Sequence, residues 1–200
     1  MRWNWSGWQK RAIKYAKGRV LDVGAGAGRV SLYLQKRGCK VTAIDNSPLA
    51  IQVCRRRGVK DARVLSIREV GKLRTDTFDT VVMYGNNFGL FGGRAVAKRL
   101  LKTLHARTTP NAVIIVESND PYKTSDPSHL AYQKRNRKRG RMSGQLKIRI
   151  RFRESTGDWF DYLLVSQKEM REILKGTGWK AMKFFDSGKS TYTAVIAKEN

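Results

Sequence analysis

Apolar positions in the first 117 residues gather in short runs: Val20 to Val23, Lys40 to Asp45, Ala62 to Ile67, Thr80 to Tyr84 and Ala112 to Glu117. Runs of this length, bounded by glycine or polar turns, suit strands buried on both faces, the habit of a parallel sheet. Between them the spacing turns helical. Arg29 to Arg37 predicts a helix stopped by Gly38, and Ser47-Pro48 supplies the N-cap and first residue of another that Gly58 ends. Arg94 to His105 predicts a third, and Trp8 to Ala16 a short one near the start. Strands alternating with helices in this way make an α/β, doubly wound sheet whose ligand crevice lies at the carboxyl ends of the strands.

The later pattern differs. Asp126-Pro127 caps and starts a helix running to Gly140, with His129, Tyr132 and Asn136 on one face. Leu146 to Arg153 alternates throughout, predicting a half-buried strand with Lys147, Arg149, Arg151 and Arg153 on one side. Thr156-Gly157-Asp158 supplies a turn, and Trp159 to Val165 returns antiparallel. Ser166 and Glu169 form a capping box for a helix ending near Gly176. Phe184-Phe185 and Tyr192 to Ala197, separated by Asp186-Ser187-Gly188, read as a closing antiparallel pair. Residues 118–165 are therefore an insertion built as a helix plus a hairpin, too long for a structureless connection. No repeat or linker divides the chain, so 1–200 reads as one domain.

The first strand breaks into Gly24-Ala25-Gly26-Ala27-Gly28, and Asp45 ends the second. Glycines let the backbone approach a ligand, and an acid there accepts both hydroxyls of a ribose, so the pair points to an adenosine-containing cofactor. A nicotinamide dinucleotide needs a third glycine where this chain has Arg29. With Asp22 two residues before the first glycine, the segment resembles the class I methyltransferases that use S-adenosylmethionine (SAM). The resemblance spans about 19–117 and 166–197. It implies a seven-stranded sheet, an enzyme, and a SAM site made by Asp22, Gly24, Ala25, Gly26, Asp45, Asn46, Ser66, Ile67, Tyr84 and Gly85. The insertion then stands where small-molecule members carry a substrate lid. Gly85-Asn86-Asn87-Phe88-Gly89-Leu90, Ser118-Asn119-Asp120-Pro121-Tyr122, Asn136 and Gly140-Arg141 are also similar to a poorly characterised branch of small bacterial and archaeal methyltransferases. Two departures stand out. Ser66-Ile67 replaces the acid that many relatives direct at adenine, so adenine would rest on Ile67 and backbone. Eighteen residues precede Arg19, fewer than relatives have, so the insertion or a second subunit in a homo-oligomer would complete the cover over SAM.

Charge narrows the partners. Lys and Arg number 41 against 16 Asp and Glu, a net charge of +25, and ten basic residues with no acid lie between Lys134 and Arg153. Such a field draws polyanions. No apolar stretch approaches a membrane span, and Trp3, Trp5 and Trp8 interleaved with polar residues do not make a signal sequence, so a cytoplasmic protein is expected. Cys39 and Cys54 have no metal or disulfide spacing. Methyl transfer is an in-line displacement in which positioning supplies much of the acceleration. Asn86 and Asn87, beside the expected methyl, and His129, Tyr132 and Asn136, on the insertion helix, are the candidate catalytic residues. Tyr84-Gly85-Asn86-Asn87 lacks the Asn-Pro-Pro-aromatic pattern of base-amino methyltransferases, and neither cysteine lies near strand four. The preferred expectation is a small, anionic acceptor. The alternatives are an RNA methyltransferase docking phosphates on 134–153, and a non-catalytic SAM- or nucleic-acid-binding protein. Inward strand cations favour the small acid; outward ones favour RNA.

Overall fold

The computed structural model describes residues 5–199; Trp3 lies outside them. The strands run in chain order β1 (Arg19–Val23), β2 (Lys40–Asp45), β3 (Asp61–Val64), β4 (Phe78–Met83) and β5 (Thr108–Asn119). The insertion adds β6 (Gln145–Ile148), β7 (Arg151–Phe152), β8 (Ser155–Thr156) and β9 (Phe160–Leu163), before β10 (Trp179–Asp186) and β11 (Thr191–Lys198). The helices are α1 (Gly7–Ala12), α2 (Arg29–Lys36), α3 (Pro48–Arg56), α4 (Arg94–Arg107), α5 (Pro127–Lys138) and α6 (Gln167–Leu174). One seven-stranded sheet has the order β10-β11-β5-β4-β1-β2-β3, parallel from β5 to β3, with β11 antiparallel to both of its neighbours.

Alternation along the strands sorts the two faces. Leu21, Val23, Val81, Met83, Ile114 and Val116 pack with Leu100, Leu101 and Leu104 of α4 and Met170, Ile173 and Leu174 of α6. Val20, Val82, Ile115 and Val195 point the other way and pack with Ala12, Ile13, Val30 and Leu34. Trp179 donates its indole Nε1 to the Leu101 carbonyl (3.0 Å), and the Tyr192 hydroxyl donates to the Val165 carbonyl (2.8 Å), so these two fully buried rings have their polar groups met. No helix among the described residues is long and apolar enough to cross a membrane.

Among the boundaries that differ from expectation, three have a plain cause. β3 stops at Val64, because Ser66 caps a 3-10 turn over Ile67–Lys72, accepting from the Arg68 amide (3.2 Å) while Glu69 accepts from the Ser66 amide (3.4 Å). β5 starts at Thr108, four residues early, through a register shift against β4. The alternating segment 146–153 is not one strand. Gln145–Ile148 pairs with Phe160–Leu163, but Ile150 is 68% exposed, so the alternation past Ile148 has no core to face. The chain then reverses at Arg153, with φ 53°, instead of at Thr156-Gly157-Asp158.

The capping box on α6 is as expected: Ser166 Oγ accepts from the Glu169 amide (3.2 Å) and Glu169 accepts from the Ser166 amide (2.9 Å). Ser166→Ala should lower stability by about 1 kcal/mol, visible as a melting temperature about 2–4 °C lower; an unchanged melting curve would mean that the cap does not hold α6.

Candidate functional site

The turn after β1 is a bare backbone loop facing open space. Gly24 and Gly26 have φ of 68° and 53°, and a Cβ on Gly26 would meet nothing within 4 Å. Behind the turn the fit is tight. A Cβ on Gly28 would lie 2.7 Å from Val59 Cγ2, and one on Gly24 would strike the Asn87 amide at 2.4 Å. Asn87 donates from Nδ2 to the carbonyls of Val23 (2.9 Å) and Gly24 (3.0 Å), and Cys54 Sγ donates to the Gly26 carbonyl (3.0 Å). Asn87 is thus a brace of the turn, with its amide hydrogens committed there. Across the turn, Asp45 accepts from the amides of Gly26 (Oδ2, 3.0 Å) and Ser47 (Oδ1, 2.9 Å). An open glycine cradle with a half-buried carboxylate at its end suits an aminoacyl group joined to a ribose. Ala25 is half-buried, Asn46 is exposed beside Asp45, and Gly85 fronts open space at the end of β4.

Two of the expected cofactor residues do other work. Ile67 is buried in the α4-side core, drawn in by the 3-10 turn that Ser66 caps. Tyr84 turns to α1, donating its hydroxyl to the Gln9 carbonyl (2.9 Å) beside Trp5. Asp22 is buried under the turn and accepts from Ser31 Oγ (2.6 Å). Burial pushes its carboxyl up from 3.8 to about 6; Asp45 adds to the rise, while Ser31 and Arg29 oppose it.

A second group forms where β4 and β5 end. Glu117, 6% exposed, accepts from the Asn86 amide (Oε1, 3.1 Å) and from Gln9 Nε2 (Oε2, 2.6 Å). Asn86 has a left-handed φ of 66°, and its carbonyl accepts from the Tyr162 hydroxyl (2.6 Å), while its buried Oδ1 has no partner. The Tyr162 ring lies over Gly89, where a Cβ would come within 2.1 Å of it. Burial, then the Glu117 charge, pushes Tyr162 up to about 12, so it remains a donor at neutral pH. The insertion therefore does reach the rim of the crevice, through Tyr162 of β9. Tyr162 and Gln9 were missed from sequence. The one signal for Tyr162 was an aromatic on the return strand with a glycine in the Asn86 segment for it to cover.

The proposed catalytic face of α5 divides. Asn136 is 3% exposed and donates from Nδ2 to the carbonyls of Ser143 (3.1 Å) and Gln145 (2.7 Å), so it clips α5 to the following loop and leaves the candidate site. His129 is exposed, with Nδ1 3.1 Å from Thr124 Oγ1, and the Tyr132 hydroxyl accepts from the Lys147 amide (3.3 Å). Both line a cavity of about 610 Å³ with Asn119, Pro121, Lys147 and Leu164. Asn86, Glu117 and Tyr162 are not among its lining residues; Asn119, two residues past Glu117 on β5, is the strand residue it shares with that edge. The strand cations do not share an inward face. Lys147 borders the cavity, the Arg149 guanidinium lies 4.8 Å from the Trp159 ring centroid, and Arg151 and Arg153 are exposed.

Comparisons agree with this geometry. Residues 20–111 match a family model described as a methyltransferase domain. The chain is 31% identical over 121 residues to the tRNA (uracil(54)-C(5))-methyltransferase of Pyrococcus horikoshii, covering 58% of this chain and 27% of that protein. It is 39% identical over 74 residues to the ubiquinone biosynthesis O-methyltransferase of Xanthomonas oryzae pv. oryzae, covering 34% and 31%. The matches thus span under a third of these curated relatives. A crystal structure of a SAM-dependent methyltransferase from Bacteroides fragilis in complex with S-adenosyl-L-homocysteine superposes with a TM-score of 0.83 at 29% identity, covering all of this chain and 80% of that one.

Because the folded value of Asp22 lies above the ordinary one, its contribution to stability is full below pH 3.8 and is lost as pH rises to about 6. Asp22→Asn should therefore gain stability relative to wild type over that interval, by up to about 3 kcal/mol at neutral pH. Urea unfolding at several pH values checks this; a pH-independent difference would contradict it.

Proposed function

We propose that this chain is a class I SAM-dependent methyltransferase with SAM as its cofactor, in keeping with the family model over 20–111 and the Bacteroides fragilis structure, and that it transfers a methyl group to RNA presented at the carboxyl ends of β4 and β5. The observation that carries the RNA reading is the outward direction of the charge. Lys134, Arg135, Lys138 and Arg139 stand exposed around α5, and Arg151 and Arg153 on the hairpin. An inward acid-binding face would have favoured the small anion. A basic outer surface attached to the crevice rim through Tyr162 favours a polyanion whose phosphates stay in solvent while one nucleotide enters. The tRNA methyltransferase relative is in keeping with it.

SAM, when bound, supplies an electrophilic methyl on a sulfonium sulfur. The chain's part is positioning. Asp45 would take the ribose hydroxyls and the Gly24–Gly26 backbone the aminoacyl end, with Asn87 holding that backbone open. Asn86 Oδ1, buried and without a partner, would accept a hydrogen from the nucleophile. Glu117 and Tyr162 fix Asn86 in its left-handed conformation, so the acceptor is oriented without reorganisation. Of the chain's cysteines, Cys54 is bonded behind the turn and Cys39 stands at the amino end of β2. A cysteine nucleophile, needed for attack from a pyrimidine C5, is therefore not part of this reading, and an oxygen or nitrogen acceptor is favoured. The second reading is a small acceptor in the cavity of about 610 Å³ lined by His129, Tyr132 and Lys147.

Two outcomes are expected. Asp45→Ala should weaken SAM binding by roughly 1–3 kcal/mol, a lost charged hydrogen bond, in titration calorimetry; binding of NAD and not SAM would overturn the cofactor. Reversing Lys134, Arg135, Lys138 and Arg139 to Glu should abolish label transfer from methyl-labelled SAM to bulk RNA while S-adenosylhomocysteine affinity is kept. Arg137 is left alone, since it donates to Ser143 Oγ (3.0 Å). Equal labelling of a small-molecule extract by wild type and variant, with none of RNA, would transfer the assignment to the cavity.

A further inference from the structure

The hairpin carries a feature that phosphate attraction does not require. Trp159 is 56% exposed and has the Arg149 guanidinium 4.8 Å from its ring centroid, and Ile150, next in sequence to Arg149, is 68% exposed. Beside Arg149, an exposed aromatic and a β-branched side chain leave apolar area in solvent, at a cost in hydrophobic free energy. An exposed indole stacked with a guanidinium is instead a platform on which an unpaired base continues the stack.

Its location gives the platform a role. Trp159 immediately precedes β9, and Tyr162, three residues on, donates to the Asn86 carbonyl at the crevice rim. Three residues of extended chain span about 10 Å and put the two side chains on opposite faces of the ribbon, so a strand passing around its edge would cover the distance with two or three stacked nucleotides at ~3.4 Å each. The rest of the basic surface is fixed to the same piece, because Asn136 Nδ2 donates to the Gln145 carbonyl (2.7 Å) and Tyr132 accepts from the Lys147 amide (3.3 Å), holding α5 beside β6. Phosphate-binding cations on α5, a stacking platform on the hairpin and the methyl-transfer rim thus belong to one continuous body. Asp158 and Asp161 are the acids nearest in sequence to Trp159; Asp161 accepts from Arg141 Nη2 (3.4 Å), while the exposed Asp158, with Glu154 in the same hairpin, disfavours phosphate there but not the face of a base.

We infer that the RNA is engaged as an unpaired strand or loop, with one base stacked on Trp159 and Arg149 two or three nucleotides from the one that enters the site. This rests on the RNA reading given above. A duplex hides its base faces and could use the α5 cations alone.

The test is fluorescence anisotropy of the full chain, saturated with S-adenosylhomocysteine, against a short labelled single-stranded RNA and a duplex RNA of the same sequence, across a salt series. Wild type should prefer the single strand. Trp159→Ala should weaken single-strand binding about 5- to 150-fold, the equivalent of the roughly 1–3 kcal/mol per stacked base, leaving duplex binding unchanged. Trp159→Phe should restore most of it. The salt slope, about 0.7 per neutralised phosphate for single strands, should be the same in Trp159→Ala and lower in the α5 reversal variant. Equal affinity for both RNAs with a silent Trp159→Ala would overturn this inference and leave the RNA reading standing. No binding to either would remove both.

Discussion

The buried carboxylate of Glu117 is the interaction on which the acceptor side of this protein depends. It sits at the carboxyl end of β5, and its two oxygens take one hydrogen from the main chain of Asn86 and one from the side chain of Gln9. Through the first it sets the path of the chain after β4; through the second it anchors α1 over the sheet edge. Tyr162 and Tyr84 complete the arrangement by bonding to the carbonyls of those same two residues, Asn86 and Gln9. Segments separated by more than 100 residues in sequence are thereby held in one hydrogen-bonded group around a single charge. A buried carboxylate is tolerable when its lone pairs are met, and the cost of leaving it unmet is what makes the group act as a unit.

On the cofactor side the logic is steric. Gly24 is obligatory because Asn87 occupies the space a side chain would need, and Gly28 because Val59 does. The two ends of the crevice are consequently linked, since Asn87, which braces the glycine turn, is adjacent to Asn86, which Glu117 holds. A shift at the acceptor rim must be felt at the turn, through one peptide unit and without any long chain of contacts.

What could be read in advance follows from the range of each interaction. Gly24 to Gly28, Asp45, the Ser47-Pro48 helix start and the Ser166–Glu169 box are local signals, decided within a few residues, and the structure has them as expected. The doubly wound, seven-stranded sheet also followed, because buried parallel strands with crossover helices admit few arrangements. Apart from the end of β3, which the local Ser66–Glu69 cap decides, the failures were tertiary. Asn136 lies on the same helical face as His129 and Tyr132, but the loop that returns past it consumes its amide. The 146–153 alternation met the pattern of a strand without a partner to cover it beyond Ile148. Gln9 and Tyr162 carry no local signal of their roles, since their partners lie 108 and 76 residues away.

The position of β11 has a consequence for how the sheet is made. This strand is the last of the seven in sequence, yet it lies inside the sheet, paired with β5 through Thr191–Ala197 on one side and with β10 on the other. Until residues 191–198 leave the ribosome, β5 and β10 both present unpaired edges, and the apolar row from Ile114 to Val116 has an open flank. The nascent protein must therefore wait in an incomplete, association-prone form, and completion is a strand insertion between two existing elements and not an addition at a free border.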